Sequence, residues 1–251
     1  MPKVELLNID CMEYMKSLDD NIFDLVLSDL PYGTTSCLWD SIIPLDEMWL
    51  ELKRVTKENA PIVLTASQPF TAKLVMSNIK NFKCEWIWQK NRGSNFATAK
   101  HHPIKEHESV LVFCFGTARY FPIMQQRSDG GLNRSKYSFN PSNTGKREVI
   151  GGMEMKYANT INELRYPSSI QKFNCEVGLH PTQKPLALME YLVKTYSQEG
   201  DLVFDMTMGS GTTGIAAIKH RRSFVGCELD KKYYDAACKR FDESTRQETL
   251  F

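Results

Sequence analysis

The chain has 251 residues, is 42% apolar and 24% charged, and carries a net charge of +1, an ordinary balance for a globular protein able to bury one sizeable core. Its seven cysteines are an odd number with no CxxC pair, which argues against a zinc site and a disulfide framework, so no metal is expected. No apolar stretch approaches about 18 residues, and Met1-Pro2-Lys3 leads straight into a strand pattern, so neither a membrane span nor a signal peptide is expected and the location should be cytoplasmic.

In chain order, Val4 to Ile9 predicts a strand, Cys11 to Leu18 a helix, and Phe23 to Leu27 a short buried strand. Leu45, Met48, Trp49, Leu52 and Val55 follow the i, i+3, i+4, i+7 spacing of an amphipathic helix. Pro61 to Thr65 is strand-like, and a helix follows from Pro69 to Ile79. Two more strands are expected at Glu85 to Gln89 and Ser109 to Phe115. From Gly116 to about Gly178 the pattern lapses into Gly, Asn, Ser, Arg and Pro with isolated aromatics, too long for a plain loop. Periodicity resumes with a helix (Pro185 to Tyr196), a strand (Asp201 to Asp205), a glycine turn and a helix (Thr212 to Lys219). A strand (Ser223 to Glu228) and a last helix (Lys231 to Phe241) follow, with a frayed tail after Glu243. The alternation argues an α/β fold whose mostly parallel sheet has helices on both faces. Cys84, Cys114 and Cys227 sit in apolar runs and are expected to be buried thiols.

Charge is unevenly distributed. From Ala72 to Lys105 seven lysines and arginines stand against Glu85 alone, and from Thr117 to Cys175 nine stand against four acids. A basic middle third suits a polyanion.

Two segments carry chemistry. Gly209, Gly211 and Gly214 fit G-x-G-x-x-G between a strand and a helix, with Glu228 closing the next strand. Glycines there allow a tight turn and close ligand approach, and an acid at the next strand end can accept ribose hydroxyls, so a nucleoside-containing ligand is expected. The turn alone admits nicotinamide and flavin dinucleotides as well as S-adenosylmethionine. Asp29-Leu30-Pro31-Tyr32 follows a buried strand. The amine of a nucleobase is a poor nucleophile because its lone pair is delocalised into the ring. A carboxylate at Asp29 and the carbonyl of Leu30, each accepting one N–H, would favour tetrahedral nitrogen. Pro31 stiffens the turn, and Tyr32 offers a stacking face worth on the order of 1–3 kcal/mol.

Asp29-Leu30-Pro31-Tyr32, His180-Pro181-Thr182-Gln183-Lys184-Pro185 and Phe204-Asp205-Met206-Thr207-Met208-Gly209-Ser210-Gly211-Thr212-Thr213-Gly214 together resemble the DNA amino-methyltransferases, in the motif order of their permuted beta group. The resemblance implies a Rossmann-like S-adenosylmethionine-dependent methyltransferase fold with a mostly parallel seven-stranded sheet. Its catalytic half would span 1–116, an inserted target-recognition region 117–177, and its cofactor-binding half 178–251. Asp29, Leu30, Pro31 and Tyr32 would hold the target base. Asp205, Gly209, Gly211 and Thr212 would line the methionine end of S-adenosylmethionine, Thr182 and Lys184 its carboxylate, Glu228 the ribose, and Asp10 with Cys11 the adenine. His180 is not given a catalytic role. Two departures stand out: Leu30 where the family usually has Pro, and Met206-Thr207 where it often has Pro-Phe. The Asp-containing motif is typical of adenine N6 specificity, and cytosine N4 enzymes overlap with it.

No cysteine follows a proline, so the covalent route of cytosine C5 methylation lacks its nucleophile and direct transfer remains, with S-adenosylhomocysteine as product. Double-stranded DNA is the expected partner, its target base flipped out of the helix. Lys90 and Arg92, then Arg127, Arg134 and Lys136 in the inserted region, are candidate DNA contacts. The expected enzyme is bacterial or phage-encoded, a monomer or homodimer, of restriction-modification type. A cytosine-N4 enzyme, a dinucleotide-dependent oxidoreductase and a silent DNA-binding subunit are the competing readings.

Overall fold

A computed structural model of the chain describes residues 2–33, 42–129, 163–176 and 183–248. It divides into two compact units, one of residues 1–121 and 169–251, the other of residues 122–168.

The larger unit is built on an eight-stranded sheet. Its strands are β1 (Val4–Leu7), β2 (Leu25–Asp29), β3 (Ile62–Ala66), β4 (Phe82–Ser94), β5 (Lys105–Phe113), β8 (Ile170–Lys172), β9 (Leu202–Asp205) and β10 (Ser223–Cys227). They lie in the order β1-β10-β9-β2-β3-β5-β4-β8. The pairings from β1 through β3 are parallel, β3-β5 and β5-β4 are antiparallel, and β4-β8 is parallel. All seven expected strands are present, and β8 extends the sheet by a short eighth. The antiparallel pairings arise because β4 runs well past Gln89 and returns through a short connection as β5, a hairpin that no crossover helix separates.

Alternation along each strand sends side chains to two cores. Val26, Ile62, Leu64, Leu111 and Phe113 enter one, with Met12 and Met15 of α1 (Cys11–Lys16), Met48, Trp49 and Leu52 of α2 (Leu45–Val55), and Phe70 and Leu74 of α3 (Phe70–Ser77). Leu25, Leu27, Val63, Val110 and Val112 enter the other. They meet Leu188, Leu192 and Tyr196 of α4 (Leu186–Tyr196), Ile215 and Ala216 of α5 (Thr212–Lys219), and Ala237 and Phe241 of α6 (Lys231–Glu248). Among the described residues, three helices therefore cover each face. In α2 the five residues of the expected spacing are buried, while Leu50, off that stripe, is exposed. The last helix runs on to Glu248 rather than fraying after Glu243.

Cys114 and Cys227 are buried, but Cys84 is exposed. Its strand lies outside β5, where residues 83–85 stay accessible to solvent.

In the smaller unit, β6 (Gln125–Gln126) pairs antiparallel with β7 (Leu164–Arg165). The Ser168 N–H donates to Gln125 Oε1 at 3.3 Å. The expected insertion, 117–177, is wider at both ends than this unit: residues 117–121 and β8 belong to the larger one.

Candidate active site

Four carboxylates mark the carboxyl ends of four neighbouring parallel strands: Asp10 beyond β1, Glu228 beyond β10, Asp205 on β9 and Asp29 on β2. From β9 the chain proceeds to β10 on one side, and from β2 to β3 on the other, so a topological switch lies between β9 and β2. A cavity of about 790 Å³ opens there, lined by all four acids, by Leu30 to Tyr32 and by the loop from Met206 to Ser210. Segments far apart in sequence become neighbours because β2 pairs with β9. Ser28 Oγ accepts the Met206 N–H at 2.8 Å, and the Asp29 carbonyl accepts Thr207 Oγ1 at 3.0 Å, both across 178 residues.

On the β9 side, Asp205 is 3% exposed and accepts the Thr207 N–H at 3.1 Å. Burial pushes its carboxyl from 3.8 up to about 7; hydrogen bonds from Thr213, Thr207 and Ser28 oppose that rise, and Asp29 adds to it. Among the described residues no cation pairs with it. Glu228 accepts the Gly209 N–H on one oxygen at 2.9 Å and the Asp230 N–H on the other at 2.8 Å; burial raises its carboxyl too. Gly211 has φ +78° at the start of α5, and a Cβ there would lie 2.6 Å from Phe241 Cε2. Gly214 is closer still to the rings of Phe224 and Phe241. These two glycines thus serve helix packing, while Gly209 gives its N–H to Glu228. Thr212 Oγ1 accepts from Arg240 at 2.8 Å and faces the cavity.

Asp10 caps α1, its Oδ1 accepting the N–H groups of Met12 and Glu13 at 2.8 and 3.1 Å. Cys11 is buried beside it, and burial holds its thiol up at about 12, so it stays protonated. Ile9 and Leu229 add an apolar wall near Glu228.

On the β2 side, Asp29 Oδ1 accepts from Tyr32 Oη at 2.7 Å and from Thr65 Oγ1, while Lys184 Nζ donates to Oδ2 at 2.5 Å. The Tyr32 ring stacks on Phe70 with centroids 5.5 Å apart. Leu30 lines the cavity although it is 3% exposed and packs into the first core, so it contributes main chain.

The structure therefore brings together Asp10, Cys11, Asp29 to Tyr32, Lys184, Asp205, Gly209, Thr212 and Glu228 in one cavity wall. It places Lys184 on Asp29, and Lys90 in the cavity lining, against Glu108 and over the Trp88 ring at 4.8 Å. Arg92 is exposed on β4. In the smaller unit the Arg127 N–H bonds the Glu163 carbonyl at 2.8 Å and its Nε bonds the Leu164 carbonyl at 3.2 Å. Thr182, His180, Arg134 and Lys136 lie outside the described residues. Sequence reasoning missed Thr65, Glu108 and Trp88. The one local signal was an acid, Glu108, opening the otherwise apolar run that follows it.

A family model described as DNA methylase, of the N6/N4 methyltransferase type, matches residues 23–239. Similar proteins include the type II methyltransferase M2.LlaDCHI of Lactococcus lactis subsp. cremoris, 39% identical over 95% of this chain and 89% of its own. The DNA adenine methyltransferase YhdJ of Escherichia coli (strain K12) is 25% identical over 93% of this chain and 81% of its own. Among solved structures, the M1.HpyAVI complex with S-adenosylmethionine shares the fold with a TM-score of 0.62 and 22% identity, covering 94% of this chain and 99% of that one. The cytosine-N4-specific PvuII DNA methyltransferase does so with a TM-score of 0.61 and 15% identity, covering 98% and 93%. With its motifs gathered at one switch point and a family match across most of its length, the chain belongs to the DNA methylase family.

Proposed function

We propose that this chain is a site-specific DNA methyltransferase that moves a methyl group from S-adenosylmethionine to the N6 amine of an adenine turned out of duplex DNA. The observation that carries the reading is that Asp29 lines the same cavity as Asp205 and Glu228, on a strand paired with β9, which leads into the glycine turn.

The residues fit the cofactor. Asp205 is a buried carboxyl with no cationic partner among the described residues, which suits the ammonium of a methionine moiety. Glu228 keeps lone pairs beyond its two main-chain bonds for ribose hydroxyls, next to the apolar wall of Ile9 and Leu229. When bound, S-adenosylmethionine supplies a methyl group activated by its sulfonium.

The remaining chemistry belongs to the protein. Asp29 and the Leu30 carbonyl accept the two amine N–H groups and leave the nitrogen lone pair to point across the cavity. The Asp29 carboxylate also faces the positive charge that develops on that nitrogen, the kind of fixed electrostatic help that is most effective in a dry site. Tyr32, held by Asp29 at its hydroxyl and by Phe70 at its ring, forms a rigid aromatic wall for the base. The methylated ammonium is acidic and loses its proton without a strong base. Cys11, kept protonated by burial, does not supply a thiolate, which supports direct transfer. A base stacked in a duplex cannot enter such a cavity, so flipping is part of the reading. Arg92 and Arg127 are the described DNA contacts of choice, and residues 122–168 the region that would read sequence on cytoplasmic DNA.

Cytosine N4 methylation is the second reading, favoured by the shared fold of the cytosine-N4-specific structure and by the identical demand that an amine makes on Asp29. Family membership removes the ground for the oxidoreductase reading of the glycine turn. The test is Asp29→Ala with Asp29→Asn as its isosteric companion: methylation is lost in both, while S-adenosylmethionine affinity measured by calorimetry stays within a few-fold. A fully active variant would sink the mechanism.

A further inference from the structure

Both carboxylate oxygens of Asp29 already hold donors. Tyr32 and Thr65 occupy Oδ1, and Lys184 Nζ sits 2.5 Å from Oδ2. Lys184 is 7% exposed, so this ammonium is lodged inside the cavity wall, where the target amine has to arrive. On its other side, 3.4 Å away, lies Glu108 Oε2. Among the described residues that buried oxygen has Lys184 as its neighbouring donor group and no well-formed hydrogen bond, an arrangement rare enough to require a cause. The second oxygen, Oε1, is held by Lys90, itself steadied over the Trp88 ring.

We propose that Lys184 is a stand-in for the substrate amine: its ammonium fills the amine position on Asp29 while the pocket lacks a base, and passes to Glu108 Oε2 when the base enters. The idea rests on the reading of Asp29 as the amine's acceptor. Asp29 is partly buried, its side chain 24% exposed, and a cation on Oδ2 stabilises its charge while the pocket is empty. A base amine then replaces it only if the lysine has another anion within reach. Glu108 provides that second anion, and Lys90 keeps it from following. No proton changes hands, and the ammonium lies between two carboxylates in both states. Glu108 and Lys90 are therefore positioning residues; neither touches the reacting atoms.

The test compares Glu108→Gln, Lys184→Met and the double variant, each checked for melting temperature and S-adenosylmethionine binding, on a duplex carrying the mapped target site. Glu108→Gln should raise KM for adenine DNA by about tenfold, the size of one charge-assisted hydrogen bond, with kcat much less affected. Lys184→Met in that background should restore KM, since no ammonium remains to be displaced. A duplex with 2-aminopurine at the target has no amine at position 6, so its fluorescence rise on flipping should be the same in wild type and Glu108→Gln. An unchanged KM in Glu108→Gln, a double variant no better than the single one, or a parallel loss of the 2-aminopurine signal would each overturn the proposal. Should Glu108→Gln not fold, Glu108→Asp, which withdraws the same charge from Lys184, carries the same expectation. Full activity in Asp29→Asn would instead overturn the reading of Asp29; an inactive Asp29→Asn beside a wild-type-like Glu108→Gln removes the lysine exchange alone.

Discussion

Asp205 makes the sharpest quantitative demand on the site. Its carboxyl rises from 3.8 to about 7 because burial disfavours the charged form, so the folded chain holds a proton that the unfolded chain releases. The sign follows from linkage. Stability from this group is fully present below about pH 4, where both states are protonated, and is lost as pH rises through about 7. A rise of about three pH units at about 1.4 kcal/mol each corresponds to a loss of about 4 kcal/mol across that window. Asp205→Asn keeps the shape and cannot ionise. Urea denaturation of the ligand-free protein at a series of pH values, wild type against variant, isolates this one group from all others that titrate. The variant should gain on wild type steadily between pH 4 and 7 while losing most of its S-adenosylmethionine affinity, a site residue retained at the expense of stability. Parallel stability curves for the two proteins would refute the reasoning.

Other expectations are simpler to state. Glu228→Ala should weaken S-adenosylmethionine binding by about tenfold or more, since the carboxylate that holds the Gly209 N–H is also the proposed acceptor for the ribose; calorimetry measures it, and unchanged affinity would remove Glu228 from the proposed site. Gly211→Ala should lower stability by about 1–3 kcal/mol in denaturant melts, because φ is +78° and the added Cβ would press on the Phe241 ring. Arg92→Ala and Arg127→Ala should each reduce the slope of log affinity against log salt by about 1 if they meet phosphates, and an unaltered slope would place the DNA elsewhere.

The sheet was legible because buried strands of β-branched and aromatic residues announce themselves locally, and α2 because its apolar stripe has helical period. The acids at strand ends were legible for the same reason: each ends or closely follows a recognisable strand. What the sequence did not disclose lies in long-range pairing. Nothing in the run around Lys90 says that it returns to meet Glu108, and Lys184 lies 155 residues from its partner Asp29. For a lysine in a basic stretch, phosphate contact and pocket lining read alike until the hairpin of β4 and β5 folds it inward against an acid in the cavity lining. The exposure of Cys84 likewise depends on β4 lying outside β5, with β8 covering only residues 87–89, a fact of topology rather than of composition. β8 escaped notice because three residues carry too little periodicity to stand out from the irregular region around them.

The central claim is that the amine held by Asp29 belongs to adenine. Purified chain incubated with S-adenosylmethionine and unmodified duplex DNA, followed by enzymatic digestion and mass spectrometry of the nucleosides, addresses it directly. N6-methyladenine as the product, absent with Asp29→Ala, is the predicted result. N4-methylcytosine in its place, or adenine methylation that survives the loss of Asp29, would contradict it.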